Sequence, residues 1–226
     1  MHDVLHPLLL TLKVASLATL FAFLLGTAMA ALIVRYRFPG REFLDAVLTL
    51  PLVMPPTVLG YYIIVVLGRK GWIGQWLNDT FGISLMFTWQ GAVVASVTAS
   101  LPLVFKSARA AFETVDQNLE KAARTLGSSE IEVFLRVSLP LAWRGLLAGT
   151  MLAFARGMGE FGATLMVAGN LPGKTQTLSL AVYSAVQAGN DAMAALLVAI
   201  ISAVCICVLL GSGKALKSDY MKEVER

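Results

Sequence analysis

Two charges of opposite sign, Arg156 and Glu160, stand four residues apart inside an otherwise apolar run. On one continuous helix that spacing puts both side chains on the same face. A charge at membrane depth costs about 2.5–3.5 kcal/mol on insertion scales and turns toward the protein interior. The pair therefore reads either as a structural ion pair or as a gate in which Arg156 meets a passing anion. Gly157, Gly159 and Gly162 around it suit close helix packing under both readings. AGNLPGKT, residues 168–175, fits a loosened phosphate-loop pattern. A working phosphate loop needs a preceding strand, a following helix and a Mg²⁺ partner in a nucleotide domain, whereas this segment follows an apolar run. Its Gly and Pro suit an exposed turn, one placed to touch an external protein. His2 and His6 lie in the N-terminal tail, far from any acid or nucleophile. Cys205 and Cys207 are separated by one residue, a poor geometry for a disulfide, and read as small apolar residues. The chain is expected to hold no catalytic site, metal or cofactor of its own.

These residues need elements to hold them. The 226 residues are 57% apolar and 14% charged, with a mean hydropathy of +0.74, which points to the bilayer as solvent. A hydrocarbon core about 30 Å thick takes about 20 apolar residues per span. Five runs qualify: residues 8–34, 43–67, 89–105, 141–168 and 192–211. Backbone polar groups must be satisfied within each span. The expected fold is thus all-α, a single polytopic transmembrane domain over residues 1–226. The first run is too long for a signal-peptide core and lacks a basic head, so it reads as a retained span. Pro51, Pro55 and Pro56 remove backbone donors and should kink or break the second span. That irregularity either lines a water-filled path or is a packing kink. Residues 170–190 are too polar for a span and read as an outer loop with a short, partly inserted helix near Leu178–Val186. The odd number of spans argues against the paired repeats of many carriers.

Lys and Arg concentrate on the cytoplasmic side of membrane proteins. One set of loops and ends carries Arg35, Arg37, Arg41, Lys106, Arg109, Lys121, Arg124, Arg136, Arg144, Lys214, Lys217, Lys222 and Arg226; the other carries Arg69, Lys70 and Lys174. Thirteen against three predicts the N-terminus outside and the C-terminus in the cytoplasm, with Lys13 and Arg156 set aside as lying within spans. The net charge of +4 is dispersed between apolar runs, which is not the pattern of a nucleic-acid surface.

The loop over residues 106–140 has helical punctuation of its own. Thr114 with Gln117 has the spacing of a capping box, and Val115, Leu119, Ala122, Ala123 and Leu126 then share a side. Gly127 suits a helix end. Ser129 with Glu132 offers a second box, and Pro140 marks a break before the next span. The reading is helix, glycine corner, short helix. Such a helix either lays its apolar face into a partner's groove or rests on the membrane surface.

The string EKAARTLGSSEIEVFLRVSLPLA resembles the EAA loop of bacterial ABC import permeases. Ala122, Ala123, Gly127, Val137, Leu139 and Pro140 fall at the family spacing. Lys121 stands at the strict glutamate position with Glu120 one residue earlier, and Val137 replaces isoleucine. The resemblance implies that Glu120 to Pro140 form the coupling helix that docks in a cleft of a cytoplasmic ATPase. A second string, ARGMGEFGATLMVAGNLPGKTQTLSLAVYSA, looks like molybdate permeases, with sulfate permeases as nearest relatives. By that resemblance the chain is a multi-pass subunit of the bacterial inner membrane, set in lipid and paired with a second copy. Separate ATPase subunits bind the ATP and Mg²⁺, and an external binding protein delivers molybdate or tungstate; a sulfate-type permease is the alternative. Arg156, Glu160, Gly159, Gly162, Pro55 and Pro56 are the pathway or gate candidates. An ion-driven carrier using the charge pair as a proton relay is a different class, against which the docking loop speaks. A scaffold without transport is a third.

Overall fold

The computed structural model describes the backbone of residues 2–224 and the side chains of residues 4–211. The side chains of His2, Lys214, Lys217, Lys222 and Arg226 lie outside the described residues.

Helices account for every regular element among them. In chain order these are α1 (His2–Arg35), α2 (Arg41–Val53), α3 (Pro56–Leu67), α4 (Trp72–Phe81) and α5 (Trp89–Glu113). Then come α6 (Gln117–Thr125), α7 (Glu130–Val133), a π-helical turn (Phe134–Ser138), α8 (Leu139–Met158), α9 (Gly162–Ala168), α10 (Leu178–Gln187) and α11 (Asp191–Val224). Among the described residues, four stretches are long and apolar enough to cross a membrane: Val4–Arg35, Trp89–Glu113, Glu130–Met158 and Asp191–Gly211.

The expected second span, residues 43–67, is broken as its prolines require. Pro55 and Pro56 part α2 from α3, and Pro56 opens α3 where its missing amide costs nothing. The expected fourth span, residues 141–168, is also two helices, with Gly159–Phe161 between α8 and α9. Nothing but glycine content marked that break in the sequence. The amphipathic α4 is a further helix that hydropathy passed over, because its Trp, Gln, Asn and Asp read as loop.

α5 is the centre. Its small residues, among them Ala92, Ala95, Ser96, Ala99 and Ser100, are buried, and they let α1 and α8 approach it closely, as small residues do in membrane bundles. Ala30 and Ile33 of α1, Phe105, Ala108 and Phe112 of α5, and Ala142 and Leu146 of α8 form one core at the end where α1 stops. Leu10, Val14 and Ala18 with Ala92, Val93 and Ala168 form another toward the opposite end.

Lys13 lies 22 residues before Arg35, about 33 Å along the helix. Both lie within the apolar stretch Val4–Arg35, as the sequence reading has Lys13. The Lys13 ammonium lies 3.5 Å from the centre of the Trp89 ring.

Candidate functional site: a helical corner and two abutting helix breaks

The corner between α6 and α7 is closed by several reinforcing devices. The Gly127 amide donates to the Arg124 carbonyl at 3.0 Å and the Ser128 amide to the Ala123 carbonyl at 3.1 Å, the hydrogen-bond pair of a Schellman stop. That stop needs a left-handed residue, and Gly127 has φ +88°. Ser129 caps α7, with the Ser129 side chain accepting from the Glu132 amide at 3.3 Å and the Glu132 carboxylate accepting from the Ser129 amide at 2.9 Å. Across the corner Arg124 grips Glu130 with two bonds, Nε to Oε1 at 2.6 Å and Nη2 to Oε2 at 3.2 Å. The Arg124 guanidinium holds the Glu130 carboxyl below its ordinary range, and bonds from Ser129 do the same for Glu132.

Two expectations about this loop change. Thr114 with Gln117 is no capping box: Asp116 is the N-cap, accepting from the Asn118 amide at 2.8 Å, and Thr114 bonds back to the Ala111 carbonyl. Pro140 does not break the chain either. It takes an early position in α8, and its missing amide is absorbed by the preceding π turn, in which the Leu139 amide reaches back five residues to the Phe134 carbonyl. α7, the π turn and α8 are therefore one helical rod, Glu130–Met158.

Of the loop residues singled out, Glu120, Ala122 and Ala123 lie on α6, Val137 in the π turn, and Leu139 and Pro140 at the start of α8. Glu120 turns inward, accepting from the Ser138 hydroxyl at 2.5 Å and meeting Arg124 at 3.5 Å, so it ties α6 to the rod. Lys121, at the family's glutamate position, is exposed. α6 has no buried residue and leaves Leu119 and Leu126 49% and 86% exposed.

The far end of the rod holds the charge pair. Arg156 is in the last turn of α8, but Glu160 sits in the break, so the two straddle the α8–α9 junction and do not share a helix face. Arg156 Nη1 approaches Glu160 Oε2 to 2.5 Å, yet Oε2 has no aligned hydrogen bond. The pair is an ion contact. Oε1 accepts from the Ala163 amide at 2.9 Å, so this carboxylate also serves the first turn of α9. The Glu160 side chain is 2% exposed against 35% for Arg156.

The two breaks meet. A Cβ on Gly162 would stand 2.6 Å from the Pro56 Cβ, and one on Gly60 would stand 2.6 Å from the Met166 Cβ. Residues 56 and 162, then 60 and 166, thus pair in the same direction, so α3 and α9 run parallel with their N-termini side by side. Pro56, Gly162, Arg156 and Glu160 converge there, while Gly159 has nothing nearer than 3.9 Å.

The phosphate-loop lookalike is spent on itself. The amides of Lys174, Thr175 and Gln176 all donate to the Leu171 carbonyl, leaving none of the three to cradle a phosphate. α10 follows over Leu178–Gln187 as the sequence suggested.

Asp45 of α2 binds Lys106 at 2.7 Å and also Arg109, clamping α2 to α5 across more than 60 residues of chain.

A multi-helix membrane subunit with a self-contained helical corner on one side is the architecture of import-system permeases. The chain belongs to the family of binding-protein-dependent transport system inner membrane components, whose model matches residues 22–218. Within it, the chain is 48% identical to the molybdenum transport system permease protein ModB of Escherichia coli (strain K12), over 98% of this chain and 94% of that one. The corresponding protein of Haemophilus influenzae is 45% identical over 79% of this chain and 78% of its own. The sulfate transport system permease protein CysT of Salmonella typhimurium is 36% identical over 95% and 76%. Among solved structures, the MetNI methionine ABC transporter in an inward-facing form matches with TM-score 0.74 at 16% identity, covering 96% of this chain and 95% of that one. At that identity the likeness is one of fold.

Proposed function

We propose that this chain is the membrane subunit of an ATP-driven importer that passes molybdate from an external binding protein to the cytoplasm. The observation that carries it is the 48% identity over nearly the full length of a molybdenum permease. The 36% identity to a sulfate permease makes sulfate the second candidate cargo. α2 and α3 together make a fifth crossing beside the four long stretches, with the N-terminus outside and the corner in the cytoplasm. The corner docks a separate ATPase: α6 has an apolar side with nothing over it, and Gly127 with the Arg124–Glu130 grip fixes its angle. A second copy covers α3, whose Val58, Tyr61, Tyr62 and Val65 are exposed. The abutting breaks, with Arg156, Glu160, Pro55, Pro56 and Gly162, form the gate on the anion's path, and Arg156 supplies the positive charge.

The test is uptake in a strain lacking its own molybdate permease, supplied with this chain and its ATPase. Labelled molybdate should accumulate in excess sulfate; suppression by sulfate would instead make the chain a sulfate-type permease. A reporter fused after Arg226 should be cytoplasmic and one near Asn170 external, and finding both on one side would overturn the orientation.

A further inference from the structure

A cleft of about 660 Å³ opens where α1 ends, between the α1–α2 turn and α6. Five basic side chains line it: Arg35, Arg37, Arg41, Lys121 and Arg124. The acids at its wall are largely spoken for, Glu120 and Glu130 by Arg124 and Glu113 by Arg109. Arg37, Arg41 and Lys121 have no ion-pair partner among the described residues.

Two buried donors in this wall are unmet. Arg35 Nη2 and Arg41 Nε have no hydrogen-bond partner, a costly state for a charged group and one that native structures resolve with an acceptor. Arg35 is held in position meanwhile. Its Nη1 donates to the Glu130 carbonyl at 3.2 Å, and its guanidinium lies over the Phe134 ring at 5.2 Å. Arg35 and Arg41 both line the cleft, and oxygen-rich anions are the ligands that arginine forks bind best.

A second groove shares Arg35 and Phe134 with this cleft and is lined by Ala28, Leu32, Ile131 and Leu135. It measures about 320 Å³, and Leu32, Ile131 and Leu135 are exposed along it. On the other flank Phe43, Val47 and Leu50 of α2 stand exposed at helical spacing. A basic cleft running into an apolar groove, at the level where α1 leaves the membrane, matches a headgroup and its chain and exceeds the needs of a free ion.

We propose that this cleft and groove bind one anionic phospholipid of the cytoplasmic leaflet, its phosphate on Arg35 and Arg41 and an acyl chain along Leu32, Ile131 and Leu135. The leaflet assignment rests on the orientation given above. Bound there, the lipid would brace the corner against α1 beside the Arg124–Glu130 grip, whose residues line the same cleft.

The experiment is native mass spectrometry of the permease, with and without its ATPase, after exchange into equal phosphatidylglycerol and phosphatidylcholine. Phosphatidylglycerol should be retained in preference. Arg35→Gln with Arg41→Gln should lower its retention about thirtyfold, and Arg41→Gln alone about fivefold. Arg41→Lys should preserve most of it. Arg41→Gln leaves the Glu130 contact untouched, so its loss of lipid cannot be laid to a disturbed corner. Equal retention of the two lipids, or phosphatidylglycerol surviving the double change, would overturn the proposal. Displacement by excess inorganic phosphate that itself binds would make the cleft a free-oxyanion site, and release of lipid on adding ATPase would give it to the partner; either outcome also overturns it. Molybdate uptake measured in parallel separates this from the transport reading, since lost lipid preference with intact uptake leaves the permease standing.

Discussion

At the scale of single residues, the charge pair is less symmetrical than four-residue spacing suggests. Glu160 is buried and also accepts from the Ala163 amide, whereas Arg156 reaches partly into the open. Removing Arg156 strands a buried carboxylate, and Arg156→Ala should cost about 3 kcal/mol. Glu160→Ala removes a helix-end acceptor and leaves a cation that can turn outward, a loss of about 1–2 kcal/mol. Thermal unfolding of the purified permease should rank them in that order, and an equal or reversed ranking would refute the asymmetry. Exchanging the two residues should not restore stability, because arginine at 160 has no oxygen for the Ala163 amide; Glu160→Gln, which keeps one, separates the cap from the charge. The neighbouring glycines divide as cleanly. A methyl on Gly162 would press on Pro56 at 2.6 Å, so Gly162→Ala should push the breaks apart and cut uptake severalfold, about 1–3 kcal/mol of strain. Gly159→Ala meets nothing closer than 3.9 Å and should transport normally. Cysteine cross-linking between α3 and α9 alongside uptake would detect either failure.

Among the elements, the corner binds its pieces through carboxylates, which gives it an acid limit. Glu130 and Glu132 both titrate below the ordinary carboxylate range, Glu130 chiefly through Arg124 and Glu132 through Ser129. A lowered folded value means their contribution is complete above the unfolded pKa and disappears as pH falls through the folded one. Amide-exchange protection over residues 123–132 should therefore be flat from neutrality down to about pH 5 and weaken below about pH 4; a loss centred near neutrality would contradict this. Both groups are exposed, so the effect should be local. These corner devices were legible in the sequence because each joins residues within a few positions: Ser129 to Glu132, and Gly127 to the helix before it. The proline break between α2 and α3 was legible for the same reason. The α8–α9 break was not, since Gly159 and Phe161 carry no local prohibition of helix and hydropathy runs on through them. Pro140 misled in the other direction: a proline reads as a stop, but one π turn absorbs its missing donor. Asp45 finding Lys106 and Arg109, and Pro56 finding Gly162, are matters of packing between distant segments that no spacing rule encodes.

Across the whole molecule, the corner and the gate candidates are the two ends of one object. Glu130–Met158 is 29 residues of unbroken helix, about 43 Å long, beginning at the Arg124–Glu130 grip and ending beside Arg156 and Glu160. If a rod of that length, packed along α5, moves as a body, tilting the corner shifts the α8–α9 break against α3. Gly127 is where the tilt is set. A β-branched residue is poorly accommodated at φ +88°, while no atom lies within 4 Å of a Cβ placed there. Gly127→Val should therefore change the angle between α6 and the rod without clashing, and the strain should cost about 1–2 kcal/mol, confined to the loop. Insertion and helix content should be unchanged, and ATPase should still co-purify through α6. What should fail is transmission: ATP hydrolysis by the reconstituted complex should no longer rise when loaded binding protein is added, and molybdate uptake should fall in step. Normal stimulation with normal uptake in Gly127→Val would show that the corner's angle does not drive the breaks, and the rod would then be a support and not a lever.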